Sequence, residues 1–246
     1  MKLLISIATY KRPEKLQRCL DSLFHNSYHN FDIVVVADNN DLETVKLVNE
    51  LNDFPFKNGK LSVLIQSEHK FVIGAWNRTI QEIFIPGDYT GFIGLCDDVI
   101  LRSNALGNIV TDMNKYFPNT DGVLGFAQEC PGHPEYTFKW YGQTLMGRKF
   151  IERYKDVNYQ VCCPLYKHFY QDEEMFQYSS SLGNFYPSYS ALLYHYHPGF
   201  IRELIDETHN IIRQGKLSPK EHDLKLFKER QSKGLVWGET WEGYNV

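Results

Sequence analysis

The stretch LLISIATYKRPEKLQRCLDSLF, residues 3–24, decides how this chain folds. Residues 3–9 are a short apolar run that ends in the polar turn Thr9-Tyr10-Lys11-Arg12. Pro13 then opens a segment whose apolar residues Leu16, Cys19, Leu20, Leu23 and Phe24 recur with helical spacing. The order is strand, loop, amphipathic helix, and it recurs. A Val-rich run at 31–37, without alternation as in a strand covered on both faces, stops at Asp38-Asn39-Asn40 and leads into helical spacing at Leu42, Val45, Val48 and Leu51. Further strands are expected at 61–66, 89–95, 122–126 and 188–194, and further helices at 75–84, 104–117, 172–182, 200–214 and 219–233. Such alternation predicts an α/β fold with a mainly parallel, doubly wound central sheet whose polar strand ends gather along one edge. Between 127 and 170 the periodicity fades into Gly, Pro and aromatic residues, a connection long enough to suggest function. The tail 234–246, with Trp237 and Trp241, reads as an extended flap.

The chain has 246 residues, 43% hydrophobic and 23% charged, which suits one compact body with an appendage and excludes wholesale disorder. Twenty-six Lys and Arg against 30 Asp and Glu leave a net charge of −4, so there is no broad positive field to hold a polyanion and no strong nucleic-acid signal. Cys19, Cys96, Cys130, Cys162 and Cys163 are odd in number and scattered, which suits a reducing cytoplasm better than a disulfide framework. No apolar run approaches the roughly 20 residues that span a bilayer, so no transmembrane segment is expected. GxGxxG, GxxxxGK[ST] and GxSxG are all missing, which leaves a dinucleotide dehydrogenase, a P-loop nucleotidase and an α/β-hydrolase without support.

Four polar clusters fall at expected strand ends: residues 9–12, 38–40, 97–98 and 195–197. Each has an ordinary explanation, since a loop Asp often caps a helix and a histidine often simply packs. Together, in a parallel sheet, they bring carboxylates and imidazole to one edge, where a divalent cation and its phosphate partner could bind. Lys11, Arg12 or Arg78 would help neutralise the anion. The aromatic residues Tyr136, Phe138, Trp140, Tyr141 and Tyr166 suit either sugar stacking or core packing. A zinc grouping of Cys130, His133, Cys162, Cys163 and His168 lacks any paired spacing.

ISIATYKRPEKLQRCLDSL, VVVADNND, HKFVIGAWNRTI, GLCDDVIL, QDEEMFQYSSSLG and ALLYHYHP, in that order, resemble the family 2 type of GT-A glycosyltransferase. The resemblance covers roughly residues 3–198. The second block departs from the common Asp-Asp-Gly-Ser form, Cys96 replaces an acidic or amide residue, and Gln171 stands where an acidic residue is usual. The resemblance implies a GT-A domain over 1–198, with a nucleotide-binding half at about 1–126 and an acceptor and catalytic half at about 127–198. Residues 199–246 are expected to form a C-terminal helical extension and tail.

The implied activity is metal-dependent, inverting transfer of a sugar from a nucleoside-diphosphate sugar, with UDP expected first. The acceptor is a hydroxyl on a glycan, a lipid-linked glycan, a protein or a modified base. Thr9, Tyr10 and Arg12 match the loop that holds the nucleotide, with Tyr10 on the base. Asp38 matches the reader of the base edge, and Asn77 and Arg78 resemble a pair near ribose and diphosphate. Asp97 is expected on ribose or sugar hydroxyls. Asp98 is expected on Mn2+ or Mg2+, because charge developing on a departing diphosphate must be stabilised. His195 would complete the metal shell, with His197 as the alternative. Asp172 matches the base that takes the acceptor proton, and Glu173 and Glu174 are expected to raise its pKa by like-charge repulsion. Two rivals remain. A nucleotidylyltransferase needs glycines that ATYKRPEKL lacks, whereas Cys96 and Gln171 support a catalytically degenerate fold acting as a carbohydrate- or partner-binding module.

Overall fold

The computed structural model describes residues 1–52, 59–133, 140–198, 201, 204–215 and 218–241. The first half follows the expected alternation: β1 (Leu3–Ala8), α1 (Pro13–Phe24), β2 (Phe31–Asp38), α2 (Leu42–Asn52), β3 (Leu61–Gln66) and α3 (Phe71–Thr79), which widens into a π-turn at Ile80–Phe84. Then come β4 (Gly91–Cys96), β5 (Val99–Leu101), α4 (Ala105–Tyr116) and β6 (Val123–Glu129). The second half holds β7 (Thr144–Gly147), α5 (Arg148–Glu152), α6 (Gln171–Ser181), β8 (Phe185–His195), α7 (Glu207–Arg213) and α8 (Pro219–Ser232). Among the described residues no helix is long and apolar enough to cross a membrane.

The strands form one sheet in the order β3-β2-β1-β4-β7-β6-β8-β5. The first four are mutually parallel, as expected. β7 runs antiparallel to both β4 and β6, and β5 runs antiparallel to β8, so the sheet is mixed. β7 lies inside the stretch read as a plain connection. Its four residues are all buried, which is too short a run to show any period.

Alternation along β1 divides the core. Leu3, Ile5 and Ile7 join Leu16 and Leu20 of α1 and Ile109 and Met113 of α4 on one face. Leu4 joins Val34, Trp76, Phe84 and Phe150 on the other, and Trp237 of the tail completes that layer. Gly94 has no side chain for a physical reason: a Cβ there would stand 2.7 Å from the Trp76 indole. The described part of the expected flap, residues 234–241, is thus packed, with Trp237 1% exposed and its Nε1 donating to the Gln160 carbonyl at 2.7 Å.

Register places the site. Ala8 aligns with Val36 and with Cys96, and Asp38 with Gln66, so the loops after β1, β2 and β4 open side by side. Where β8 pairs with β6 the register jumps from Phe126↔Ser188 to Ala127↔Leu192, a bulge that re-aims the end of β8. The redirected strand then pairs Val99 with His195, which brings the turn at Asp98 alongside that histidine.

Candidate active site

The loop after β1 is held in an unusual backbone. Lys11 has φ 53°, a left-handed conformation that costs a residue with a Cβ about 1–2 kcal/mol. Side chains on either side secure it. Thr9 Oγ1 donates to Asp97 Oδ2 at 2.8 Å, Arg12 pairs with Asp97 Oδ1 at 3.1 Å and Asp206 Oδ1 at 2.8 Å, and Thr208 of α7 donates to the Tyr10 carbonyl at 2.9 Å. At the end of β2, Asp38 is buried and meets His69 Nδ1 through Oδ2 at 2.5 Å. The His69 ring lies 4.6 Å from Tyr10 and 4.3 Å from Phe71, and Phe71 is itself left-handed at φ 52°. The carboxylate therefore sits at the foot of an aromatic wall.

Asp97 and Asp98 are both buried in the turn between β4 and β5. Burial and the neighbouring Asp98 push the Asp97 carboxyl up, against Arg12 and Thr9. Burial also works against the Asp98 charge, but His195 and Arg12 outweigh it and leave Asp98 below the usual carboxylate range. Asp98 Oδ1 has no hydrogen-bond partner among the described residues, although His195 Nε2 is 3.4 Å away. His195 Nδ1 lies 2.9 Å from Gln128 Oε1, and an imidazole that donates there presents its Nε2 lone pair to Asp98. With the proton on Nδ1, the Nε2 lone pair and Asp98 Oδ1 face a common point where a cation would fit, whereas a ring protonated at Nε2 pairs with Asp98 directly. A hard carboxylate and an imidazole suit Mn2+ or Mg2+ as donors. Among the described residues, no group of three or more His, Cys, Asp or Glu side chains is gathered tightly enough to hold a metal alone.

α6 starts from Tyr170, left-handed at φ 67°, and its first turn carries Asp172, Glu173 and Glu174. The three carboxylates have different surroundings. Asp172 lines the same cavity as Thr9, Tyr10, Arg12, Asp38, Asp97, Asp98, His195 and His197. Glu173 accepts from Tyr141 Oη at 2.8 Å. Glu174 is fully buried, pairs with Arg230 at 2.7 and 2.9 Å, and accepts from Tyr166 Oη and the Trp237 backbone N–H. Arg230 compensates the charge of Glu174 in the core, away from the cavity that Asp172 lines.

Three sequence-derived polar candidates, Asn77, Arg78 and Lys11, are not among the residues that line the cavity. Asn77 is buried and bonds Cys162 twice, donating to its carbonyl at 2.7 Å and accepting from its N–H at 2.9 Å. Arg78 pairs with Glu82 at 2.8 Å and donates to the Ile65 carbonyl at 2.7 Å, and Lys11 has its ammonium over the Tyr10 ring. Of the aromatic residues singled out, Tyr136 and Phe138, like the Trp140 side chain, lie outside the described residues. Tyr141 stacks on Phe176 at 4.5 Å, and Tyr166 is buried on Glu174. Cys162 and Cys163 pack in the apolar layer, while His168 lines the cavity.

Sequence reasoning missed the contribution of α7. His209 and Arg213 both line the cavity, and Arg213 lies 3.0 Å from His197 Nε2 and 5.6 Å from the Phe169 ring centre. Nε of this guanidinium is buried without a partner, and no carboxylate pairs with it among the described residues. A helical period alone cannot show that a helix folds back onto a loop 198 residues earlier. Burial and the Arg213 and Arg12 charges push His168 down to about 4, burial and His195 push His197 down to about 3, and burial and Arg12 push His209 down to about 4. At neutral pH these three rings are uncharged, and Arg12 and Arg213 supply the positive charge.

A family model described as Glycosyl transferase family 2 matches residues 4–169, two-thirds of the chain. This chain is a family 2 glycosyltransferase. Its fold agrees with solved structures. TarS 1-349 from S. aureus has a TM-score of 0.61 at 15% identity over 95% of this glycosyltransferase and 74% of that chain, and its complex with UDP also scores 0.61. The mannosyltransferase PcManGT from Pyrobaculum calidifontis, in complex with GDP-Man and Mn2+, has a TM-score of 0.62 at 14% identity, covering 92% of this chain and 69% of that one. At such identities the likeness establishes the GT-A fold alone. No curated protein matches the sequence significantly. As a family member the enzyme transfers a sugar from a nucleotide sugar.

Proposed function

We propose that this glycosyltransferase takes its sugar from a UDP-sugar, uses a divalent cation and inverts the anomeric centre, with Asp172 as the base. The observation that carries this reading is the pairing of Asp98 Oδ1 with His195 Nε2 in the cavity that Asp172 also lines. Tyr10, His69 and Phe71 offer stacking faces for the base. Asp38 has one oxygen on His69, which leaves the other for a single imide N–H, the demand of uracil; a guanine edge asks for both.

Thr9 and Arg12 hold Asp97 so that its remaining lone pairs meet ribose or sugar hydroxyls. Asp98 and His195 would hold Mn2+ or Mg2+, whose contribution when bound is to neutralise charge on the diphosphate. His197 is engaged by Arg213, which favours His195 of the two histidines. Arg213, rather than Lys11 or Arg78, is the cation placed to receive a phosphate oxygen. Asp172 takes the proton from the acceptor hydroxyl as that oxygen attacks the face opposite the diphosphate. The acceptor is a hydroxyl of a glycan, a lipid-linked glycan, a protein or a modified base. Residues 1–198 supply the donor and base side chains, and 199–246 supply Arg213 and the elements packed behind α6.

A thermal-shift panel of UDP, GDP, CDP and dTDP, with and without Mn2+, tests the donor. A nucleotide at 100 times its Kd adds about 2.7 kcal/mol, a rise of about 5–10 °C. UDP with Mn2+ should give the largest rise, and a larger one with GDP overturns the base assignment. Asp98→Ala should lose the Mn2+-dependent part, and a full response overturns its metal role. Asp172→Asn should keep the UDP response and lose transfer at least about 100-fold, so an active variant refutes the base.

A further inference from the structure

The backbone that delivers His168, Phe169 and Asp172 to the cavity is held from outside the matched family region. Asp223, on α8 and fully buried, accepts from three successive backbone N–H groups. Lys167 donates at 3.0 and 3.1 Å, His168 at 2.7 Å and Phe169 at 2.8 Å. His222 Nδ1 lies 2.8 Å from its Oδ1. Arg230, which grips Glu174, is seven residues farther along the same helix. Seven residues are two turns, roughly 10 Å apart on nearly the same face. One face of α8 therefore presents an acid to the loop before α6 and a base to the first turn of α6, and Asp172 lies between the two grips.

We propose that Asp223 is a positioning residue for sugar transfer. By fixing the backbone at 167–169 it sets where His168 and Asp172 meet the cavity, and the proposal rests on Asp172 being the base. The loop cannot hold this shape alone. Tyr170 is kept in a left-handed conformation, and such strain persists only where surrounding structure over-determines it. Without the carboxylate, three successive N–H groups lose a fully buried acceptor and the loop must move to find others. A displacement near 1 Å at a reacting group costs about 100-fold in rate. The donor side chains Thr9, Tyr10, Asp38 and Asp98 follow β1, β2 and β4 instead, so donor binding should survive.

The test is UDP release from UDP-glucose and UDP-GlcNAc with Mn2+, read as kcat and donor KM. Asp223→Asn should lower kcat at least about tenfold with KM within about twofold, whereas an unchanged kcat, or a loss confined to KM, overturns the proposal. If that variant does not fold, Asp223→Glu displaces the carboxylate by one methylene and should show the same split; a parental kcat there overturns it equally. Hydrogen exchange on the parent protein needs no variant: the amides of Lys167, His168 and Phe169 should exchange at least about 100-fold more slowly than exposed loop amides, and rapid exchange overturns the proposal. Asp172→Asn run alongside separates the two readings. An inactive Asp172→Asn with a normal Asp223→Asn sinks the positioning role alone, whereas an active Asp172→Asn sinks the base assignment and the role of Asp223 with it.

Discussion

His209 shows how a single buried side chain ties this enzyme's stability to pH. Its ring is 5% exposed, with both ring nitrogens within 3.0 Å of Arg12, and it faces Asp206, Lys15 and Asp98 as well. Burial first and Arg12 second push it down to about 4. In the unfolded chain the same ring takes a proton near its ordinary 6.5. Between those values the unfolded state binds more protons, so this contribution is fully present above pH 6.5 and is lost as the pH falls towards 4, by up to about 3 kcal/mol. His168 and His197 act in the same sense, and Asp97, whose carboxyl is pushed up, opposes them. His209→Gln should therefore flatten the slope by about one proton relative to the parent when urea midpoints are compared at pH 6.5, 5.5 and 4.5. An identical slope would contradict the assignment. Asp38, Asp97, Asp98 and Asp172 were legible as candidates because each sits at a polar strand end or in an acidic helix turn. His209 and Arg213 were not, because their partners are remote in sequence.

Elements explain what adjacency in sequence conceals. Asp172 and Glu174 are two residues apart, which on a helix means 200°, so one faces the cavity while the other enters the core. A string of acids shows no such division until α6 has something on both sides. Glu174→Ala would leave Arg230 buried without its partner, a loss of about 3–5 kcal/mol. That corresponds to a fall in Tm of about 6–20 °C. Thermal denaturation checks it, and a fall below about 2 °C would show that water reaches Arg230. The four-residue β7 was invisible for a related reason: it exists because β4 and β6 both lack a neighbour at that position, and nothing in its own length announces a strand.

For the whole molecule, the segment after Pro198 is part of the working body. α7 contributes to the cavity, α8 braces the approach to α6, and Trp237 belongs to the same buried layer as Trp76 and Phe150. A chain ending at residue 198 should expose that layer, bind a hydrophobic dye such as ANS, and lose the thermal response to UDP with Mn2+. Cooperative unfolding with an intact response would mean that residues 1–198 suffice.

The sequence by itself determined the strand and helix order from β1 to β4, though not the three-residue β5, together with the edge where the loops converge and the family. These rest on local periodicity, turn chemistry and ordered motifs, all of which survive without a partner. Tertiary structure alone decided the antiparallel insertion of β7, the removal of Asn77 and Arg78 from the cavity, the diversion of Glu174 into an ion pair and the arrival of Arg213. Each depends on which side of an element meets another distant in sequence, and burial and charge pairing settle that only when the whole chain closes on itself.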